Sequence, residues 1–429
     1  MNMHMLHPAE QLARFIRRVY DQRLTTTSGG NLSIMDDNGD MWITPGSVDK
    51  GNLTKEDMVC IKPDKTVIGR HKPSSEYPFH LKIYETRKEL RAVLHAHPSA
   101  LVAFSIVRKI PDMRLTPFSY LECGKVGMAK YAMTGSQELG ERIAEVFRQG
   151  CDAAILENHG VVVGAETLSD AFGRFEILEA AARTQIHAAS LGKLKPLDEA
   201  TLKRCQDKMA APMEAFQPKG YSSQEKTARG EICSFAARAY RQGLLTSVQG
   251  SFSQRVGEKR FVVTPSHRDK SSLEPEDLVA VENGRAETGK TPSRMTALHR
   301  AIYKAHPEVN SIIMCQPQYA MAFAVTGEPL DSKTIPESYI MMRDIPRFSG
   351  LTLLTKPEEI AGMFNKSVPI VLVENDCLIV TGPTMLNAFD RLEVTEYSAM
   401  SIVMSKSQGD IIPIDEKGLE EIRRGFHLL

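Results

Sequence analysis

The sequence has no excess of charge of either sign. Lys plus Arg and Asp plus Glu each number 53, so the formal net charge is zero. Overall charge therefore gives no reason to expect a nucleic-acid or membrane partner, although a local basic patch can still bind a small anion. Cysteine is sparse. Cys60, Cys123, Cys151, Cys205, Cys233, Cys315 and Cys377 make an odd set, widely spaced, with no CxxC pair. That argues against a disulfide framework or a cysteine zinc site and fits a reducing compartment. No apolar run approaches the roughly 18 residues that a membrane span needs. The opening MNMHMLHPAEQLARF lacks a basic region followed by an apolar core, so it does not read as a signal peptide. A cytoplasmic protein is the expectation. What remains is an ordinary globular balance: 42% apolar and 25% charged residues over 429, enough for two or three domains with buried cores.

The chain repeats itself. YDQRLTTTSGGNLS (20–33) returns as YRQGLLTSVQGSFS (240–253) at an offset of 220. The same offset aligns ITPGS (43–47) with VTPSH (263–267) and LTKEDMV (53–59) with LEPEDLV (273–279). A one-residue slip then pairs KPSSEYPFHLKIY (72–84) with TPSRMTALHRAIY (291–303), and VLHAHPSA (93–100) pairs with IMCQPQYA (313–320) with some drift at the edges, His95 meeting Met314. LENHGVVVG (156–164) pairs with VENDCLIVTG (373–382). We read a tandem duplication of one domain of about 200 residues. The expected division is a first domain over 1–205, a polar, proline-containing linker over 206–222 and a second domain over 223–429.

Each half has the same order of elements. An amphipathic helix, AEQLARFIRRVYDQRL, comes first. Short strands follow: NLSIMD, MWITP and MVCIKP. A helix begins near Pro73-Ser74-Ser75, a strand covers AVLHAHP, and a helix covers 136–149. A strand pair over AAILENHGVVVGA and a helix over 168–190 close the set. This is mixed α/β with strands near enough in sequence for antiparallel pairing.

His95 and His97 stand two apart in a strand-like run, where alternation puts both imidazoles on one face. His159, at a glycine turn in ENHGV, supplies a third nitrogen. Three histidines leave one position of a tetrahedral ion open, the pattern of catalytic rather than structural zinc; another divalent metal would also fit. A single buried histidine is more often a satisfied core residue, but the repeat acts as an internal control. The second half replaces His95 with Met314, His97 with Gln316, His159 with Asp376 and Glu76 with Met295, while Tyr84/Tyr303, Pro98/Pro317 and Asn158/Asn375 persist. Coordinated loss marks a working site and an abandoned copy. Three further segments have the character of an anion cradle. Gly29-Gly30-Asn31 allows close backbone approach, Thr44-Pro45-Gly46-Ser47 is a hydroxyl-bearing turn, and Ser74-Ser75 opens a helix.

Taken in order, SGGNLS, ITPGS, KPSSE, HAHP and ENHG resemble the class II aldolase/adducin family, and the resemblance runs over both halves. The first half is similar to fuculose-phosphate-type aldolases; the other half resembles a degenerate copy. The resemblance implies two tandem three-layer α/β/α domains, each around a mainly antiparallel sheet. It implies that Gly30, Asn31, Thr44, Gly46, Ser74 and Ser75 contact a phosphate, and that His95, His97, His159 and Glu76 hold Zn2+. Glu76 would turn acid/base once substrate is bound. Tyr120 and Tyr131 are its candidates for protonating the aldehyde oxygen. The family turn often reads TPSG or TPTG, and TPGS here leaves Gly46 and Ser47 both open as the contact. The implied activity is a zinc-dependent lyase that cleaves a phosphorylated ketose to dihydroxyacetone phosphate and an aldehyde, in a homo-oligomer. Epimerase, dehydratase and decarboxylase branches are the alternatives, as is a non-catalytic adducin-like scaffold. In the epimerases the position of Glu76 is typically aspartate. For the second half, Arg268, Lys270 and Arg294 are candidates to line the first half's site.

Overall fold

Apolar spacing accounts for the first element. Helix α1 (Pro8–Asp21) buries Ala9, Leu12, Phe15, Ile16 and Val19 along one face. Pro8 sits in its first turn, where a missing N–H leaves nothing unsatisfied. The structure is a computed structural model that describes residues 5–207 and 213–428. Four strands follow α1: β1 (Asn31–Met35), β2 (Met41–Ile43), β3 (Val59–Ile61) and β4 (Val67–Ile68). Then come α2 (Tyr77–Thr86), β5 (Ala92–Ala96), α3 (Ser99–Ile106), α4 (Pro117–Cys123) and β6 (Val126–Ala129). After these stand α5 (Gln137–Arg148), β7 (Ala153–Leu156), β8 (Gly160–Ala165) and α6 (Leu168–Ala188). The eight strands form one sheet in the order β4-β3-β2-β1-β5-β8-β7-β6. Every neighbouring pair is antiparallel except β6 and β7.

Alternation along these strands sends side chains to two faces. Val93, Ile43, Val59 and Val162 meet Phe79 and Ile83 of α2 and Leu139, Ile143 and Phe147 of α5 in one core. The other face carries α1 and α6, whose Phe15 and Phe172 rings lie 5.2 Å apart. His95, two residues from Val93, falls on the α2/α5 face, where its ring meets Phe79 edge-on at 5.4 Å.

The second half rebuilds the frame. It contains α7 (Glu199–Asp207), β9 (Ala215–Phe216), α8 (Ser223–Arg241), β10 (Ser251–Gly257), β11 (Arg260–Val263), β12 (Val279–Glu282) and β13 (Arg285–Glu287). Next are α9 (Thr296–Ala305), β14 (Ser311–Cys315), α10 (Gln318–Thr326), α11 (Pro336–Met342), β15 (Arg347–Ser349), α12 (Gly350–Thr355) and α13 (Pro357–Ala361). Last come β16 (Ile370–Glu374), β17 (Cys377–Gly382), α14 (Met385–Ser405) and α15 (Glu416–Gly425). The sheet order β15-β16-β17-β14-β10-β11-β12-β13-β9 repeats that of the first sheet, read backwards, with β9 added at one edge. By contacts, one unit holds Met1–Met113 with Ser119–Arg183, and the other Arg114–Phe118 with Thr184–Leu429. Of the stretch 206–222, expected as a linker, residues 208–212 lie outside the described residues. Ala215–Phe216 pairs in parallel with β13. Among the described residues no helix is long and apolar enough to cross a membrane.

Candidate metal centre

His95 lies within β5, opposite Asn31 of β1. His97 stands one residue past the end of that strand, with its Nε2 3.0 Å from His95 Nε2. His159 is presented by the turn between β7 and β8. Asn158 adopts φ 54° there, a left-handed conformation that asparagine tolerates. Gly160 follows, where a Cβ would stand 2.6 Å from the Ala96 carbonyl and 2.6 Å from His97 Cδ2. Glu76 is the N-cap of α2. Its Oε2 lies 3.2 Å from His95 Nε2 and its Oε1 3.5 Å from His159 Nε2.

The arrangement fits a cation. One ring nitrogen from each histidine lies within 4.8 Å of the other two. Four donors held about 2.0–2.1 Å from a tetrahedral ion stand about 3.4 Å apart. The separations of 3.0, 3.2 and 3.5 Å surround that value. Glu76 Oε1 is buried with no hydrogen-bond partner, an orphan acceptor that a positive ion would satisfy. His95 Nδ1 lies 3.0 Å from the Val161 carbonyl. A carbonyl only accepts, so Nδ1 carries the proton and Nε2 presents a lone pair. Burial first, then the charge His95 can carry, pushes His97 down to about 3 and His159 to about 4, so both are neutral at ordinary pH. Burial would raise the Glu76 carboxyl. The positive charge that His95 can carry and the hydrogen bond from Asn31 lower it by more and hold Glu76 well below the usual carboxylate range. Glu76 is thus ionised in the resting site rather than poised near neutrality.

The segments read as an anion cradle adjoin this cluster. Gly30 has φ 72°, and a Cβ there would meet the His95 carbonyl at 2.9 Å. Asn31 gives an Nδ2 hydrogen to Glu76 Oε2 at 2.8 Å. Thr44 is fully buried, and its hydroxyl accepts the Leu32 N–H. A bridge between Pro45 and Pro73 sets the threonine turn beside the serine pair. The Gly46 amide is already given to the Lys72 carbonyl at 3.1 Å. Ser74 is buried, with its Oγ accepting the Glu76 N–H at 3.4 Å, and Ser75 is exposed. Tyr120 on α4 and Tyr131 after β6 are 38% and 56% exposed, and neither has a hydrogen bond or ring contact with the histidine cluster among the described residues.

Two buried residues here escape a reading of the sequence. His80, on α2, holds Asn31 Oδ1 at 2.5 Å. Lys50 is 1% exposed and gives its ammonium to the Pro45 carbonyl beneath the threonine turn; burial brings it down to about 8. Both recur in the repeat, as His299 and Lys270, so a search for residues lost from the second copy passes over them. Lys270, a candidate for a substrate-facing cation on sequence, is itself 1% exposed and donates to the Pro265 and Arg268 carbonyls.

In the second unit Met295 is the N-cap of α9, Met314 lies in β14, Gln316 follows that strand, and Asp376 occupies the turn before β17. The backbone is kept: Asn375 has φ 57°. The donors are not, and the described residues give no second cluster of metal-ligating side chains.

The sequence profile described as Class II Aldolase and Adducin N-terminal domain matches residues 10–186 and again 230–403. The chain belongs to the class II aldolase and adducin family. Among similar members of that family is an L-fuculose phosphate aldolase of Methanococcus maripaludis. It is 36% identical over 173 residues, which are 40% of this chain and 93% of the relative. A 3-oxo-tetronate 4-phosphate decarboxylase of Haemophilus influenzae is 31% identical over 178 residues, 41% of this chain and 84% of that one. Among solved structures, an L-fuculose 1-phosphate aldolase is 30% identical and covers 48% of this chain and 98% of its own, with a TM-score of 0.43. This family member is therefore a double-length chain relative to those proteins, with the family domain present twice.

Proposed function

We propose that the first unit is a zinc-dependent class II aldolase-type lyase that cleaves a phosphorylated ketose to dihydroxyacetone phosphate and an aldehyde, and that the chain is a cytoplasmic homo-oligomer. The observation that carries this is the cluster of three histidine nitrogens beside the buried Glu76 carboxylate, whose Oε1 has no hydrogen-bond partner, next to a glycine-asparagine turn, a threonine turn and a serine pair. His95, His97, His159 and Glu76 would hold the metal. When bound, it would supply Lewis-acid stabilisation of the negative charge that develops on the ketose oxygens. Gly30, Asn31, Thr44, Gly46 or Ser47, Ser74 and Ser75 would bind the phosphate and fix the position of C3. As the bond between C3 and C4 breaks, the C4 hydroxyl would give its proton to the Glu76 carboxylate and become the aldehyde, while the bonding pair passes to C3. Glu76 would then return that proton to C3.

A panel of ketose 1-phosphates, assayed for dihydroxyacetone phosphate, tests the reading. Zinc-loaded protein should release it from at least one sugar, a chelator should abolish the release, and Glu76→Gln should lower kcat by about 10²–10⁴-fold. Equal rates for the two proteins, or no release from any ketose, would refute it. The Haemophilus influenzae relative supports a second reading on the same residues, loss of carbon dioxide from a phosphorylated 3-oxo acid. Carbon dioxide from such a substrate, with no cleavage of any ketose, would select it.

A further inference from the structure

Behind Glu76 runs a line of buried polar groups whose proton directions can all be assigned. Glu76 Oε2 is an acceptor, so Asn31 presents its Nδ2 hydrogens to it at 2.8 Å and turns Oδ1 the other way. Oδ1 also only accepts, so His80 Nε2, 2.5 Å away, carries the ring proton. His80 is wholly buried; burial first, then the charge His95 can carry, pushes it down to about 3 and keeps it neutral. Its bare Nδ1 must therefore accept from the Ser33 hydroxyl at 2.7 Å. Ser33 has then used its one proton, so the Tyr84 hydroxyl donates to Ser33 Oγ at 2.7 Å. Turning the Asn31 amide over would set its oxygen against the carboxylate and its hydrogens against the His80 N–H, which leaves one stable orientation.

The second unit separates what this line does for the fold from what it does for the site. Tyr303, Ser253 and His299 repeat the buried part, with Ser253 Oγ 2.8 Å from the Tyr303 hydroxyl and 2.6 Å from His299 Nδ1. From there the line ends. His299 Nε2 meets Ser251 Oγ at 3.0 Å, and Met295 stands where the acid would be. Tyrosine, serine and histidine thus serve both copies. The link that continues through an asparagine to a carboxylate belongs to the metal-centre copy alone.

We propose that His80 is a positioning residue for Glu76: by deciding which way the Asn31 amide faces, it anchors Oε2 and leaves Oε1 turned toward the histidine cluster. The inference rests on the proposed role of Glu76 as ligand and acid/base. It predicts an effect on metal binding that needs no substrate. The experiment uses the full chain, stripped of metal and titrated with Co2+ by visible absorption, with kcat and KM measured on the zinc-loaded form. His80→Leu should weaken Co2+ binding about 10–100-fold, the usual consequence of losing a group that orients a ligand. It should lower kcat at least as much, with little change in KM. His80→Gln, which keeps an N–H facing Asn31, should recover most of both losses. His299→Leu removes the matching hydrogen bonds from the other copy and should leave Co2+ affinity and kcat within about two-fold of wild type. Wild-type Co2+ affinity in His80→Leu, or an equal loss in His299→Leu, would overturn the proposal. Should His80→Leu fail to fold, Asn31→Leu carries the same prediction for Co2+ and wild-type affinity there has the same force. A wild type that binds Co2+ but cleaves no ketose phosphate would remove the proposed reaction, while the Co2+ comparison would still decide the role of His80.

Discussion

A methyl group at position 160 would collide with the Ala96 carbonyl and with the His97 ring, both at 2.6 Å. Contacts that close force the backbone or the ring to move. Gly160→Ala should therefore disturb His97 and His159 together and weaken metal binding by about ten-fold or more, as displacement of supporting groups does elsewhere. Calorimetric titration of the stripped protein would check this; unchanged affinity would mean that the turn absorbs the methyl group without moving the ligands. A second residue-scale effect concerns two carboxylates outside the site. Glu179 accepts the Ala100 and Leu101 N–H groups at the start of α3, and Glu396 accepts the Tyr319 and Ala320 N–H groups at the start of α10. Glu179 has Arg183 Nε at 2.7 Å. Glu396 has no ion pair among the described residues, and burial pushes it up to about 7 from 4.5. A raised folded-state pKa means that the folded chain holds this proton more tightly than the unfolded one. The associated stability is complete below about pH 4.5 and lost as pH rises through about 7. The melting temperature of wild type should thus fall relative to Glu396→Gln between pH 4.5 and 7.5, and a gap independent of pH would contradict it. At this scale the sequence shows what differs between its two halves. His95, His97, His159 and Glu76 are legible because Met314, Gln316, Asp376 and Met295 replace them as a set. His80 and Lys50 are not legible, because burial requires them in both copies and leaves no contrast to read.

Among the elements, those with a clear period emerge close to expectation. The helix expected at 136–149 spans Gln137–Arg148, and the one expected at 168–190 spans Leu168–Ala188. Helix α3, SALVAFSI, escapes because it is apolar all round: it buries Ala100 and Leu101 yet exposes Ile106. The start of α2 also shifts. The serine pair suggests a helix beginning near 73, but the Pro45–Pro73 bridge engages that residue, and the helix proper begins at Tyr77. As a result Glu76, not a serine, is the N-cap, and the hydroxyls lie outside the helix. The same sheet depends on α1 and α6 behind it. Phe172 of α6 is 1% exposed, lies 5.2 Å from the Phe15 ring and carries the Arg18 guanidinium over its face at 4.4 Å. Phe172→Ala should cost about 3–5 kcal/mol. Denaturant unfolding would measure it, and a loss under about 1 kcal/mol would mean that the helices close over the cavity.

Across the whole chain, duplication is the feature most openly written in the sequence, and the two sheets repeat one strand order. The segment joining the halves is harder to read: its short polar stretches carry no period, yet Ala215–Phe216 adds an edge strand to the second sheet. With one set of donors in place, elemental analysis of the protein should find about one metal ion per chain. Two ions would mean that Met295, Met314, Gln316 and Asp376 mark a site of different chemistry.

The buried line from Tyr303 to His299, present where no acid follows it, makes the second unit a ready chassis for engineering. The substitutions Ser251→Asn, Met295→Glu, Met314→His, Gln316→His and Asp376→His restore each donor on a backbone position that already has its counterpart's geometry, from the N-cap of α9 to the left-handed turn at Asn375. Metal uptake in that variant should rise from about one ion per chain to about two. Uptake unchanged from wild type would show that the supporting frame alone does not seat the donors. Side chains rather than backbone are what distinguish the two copies at these positions.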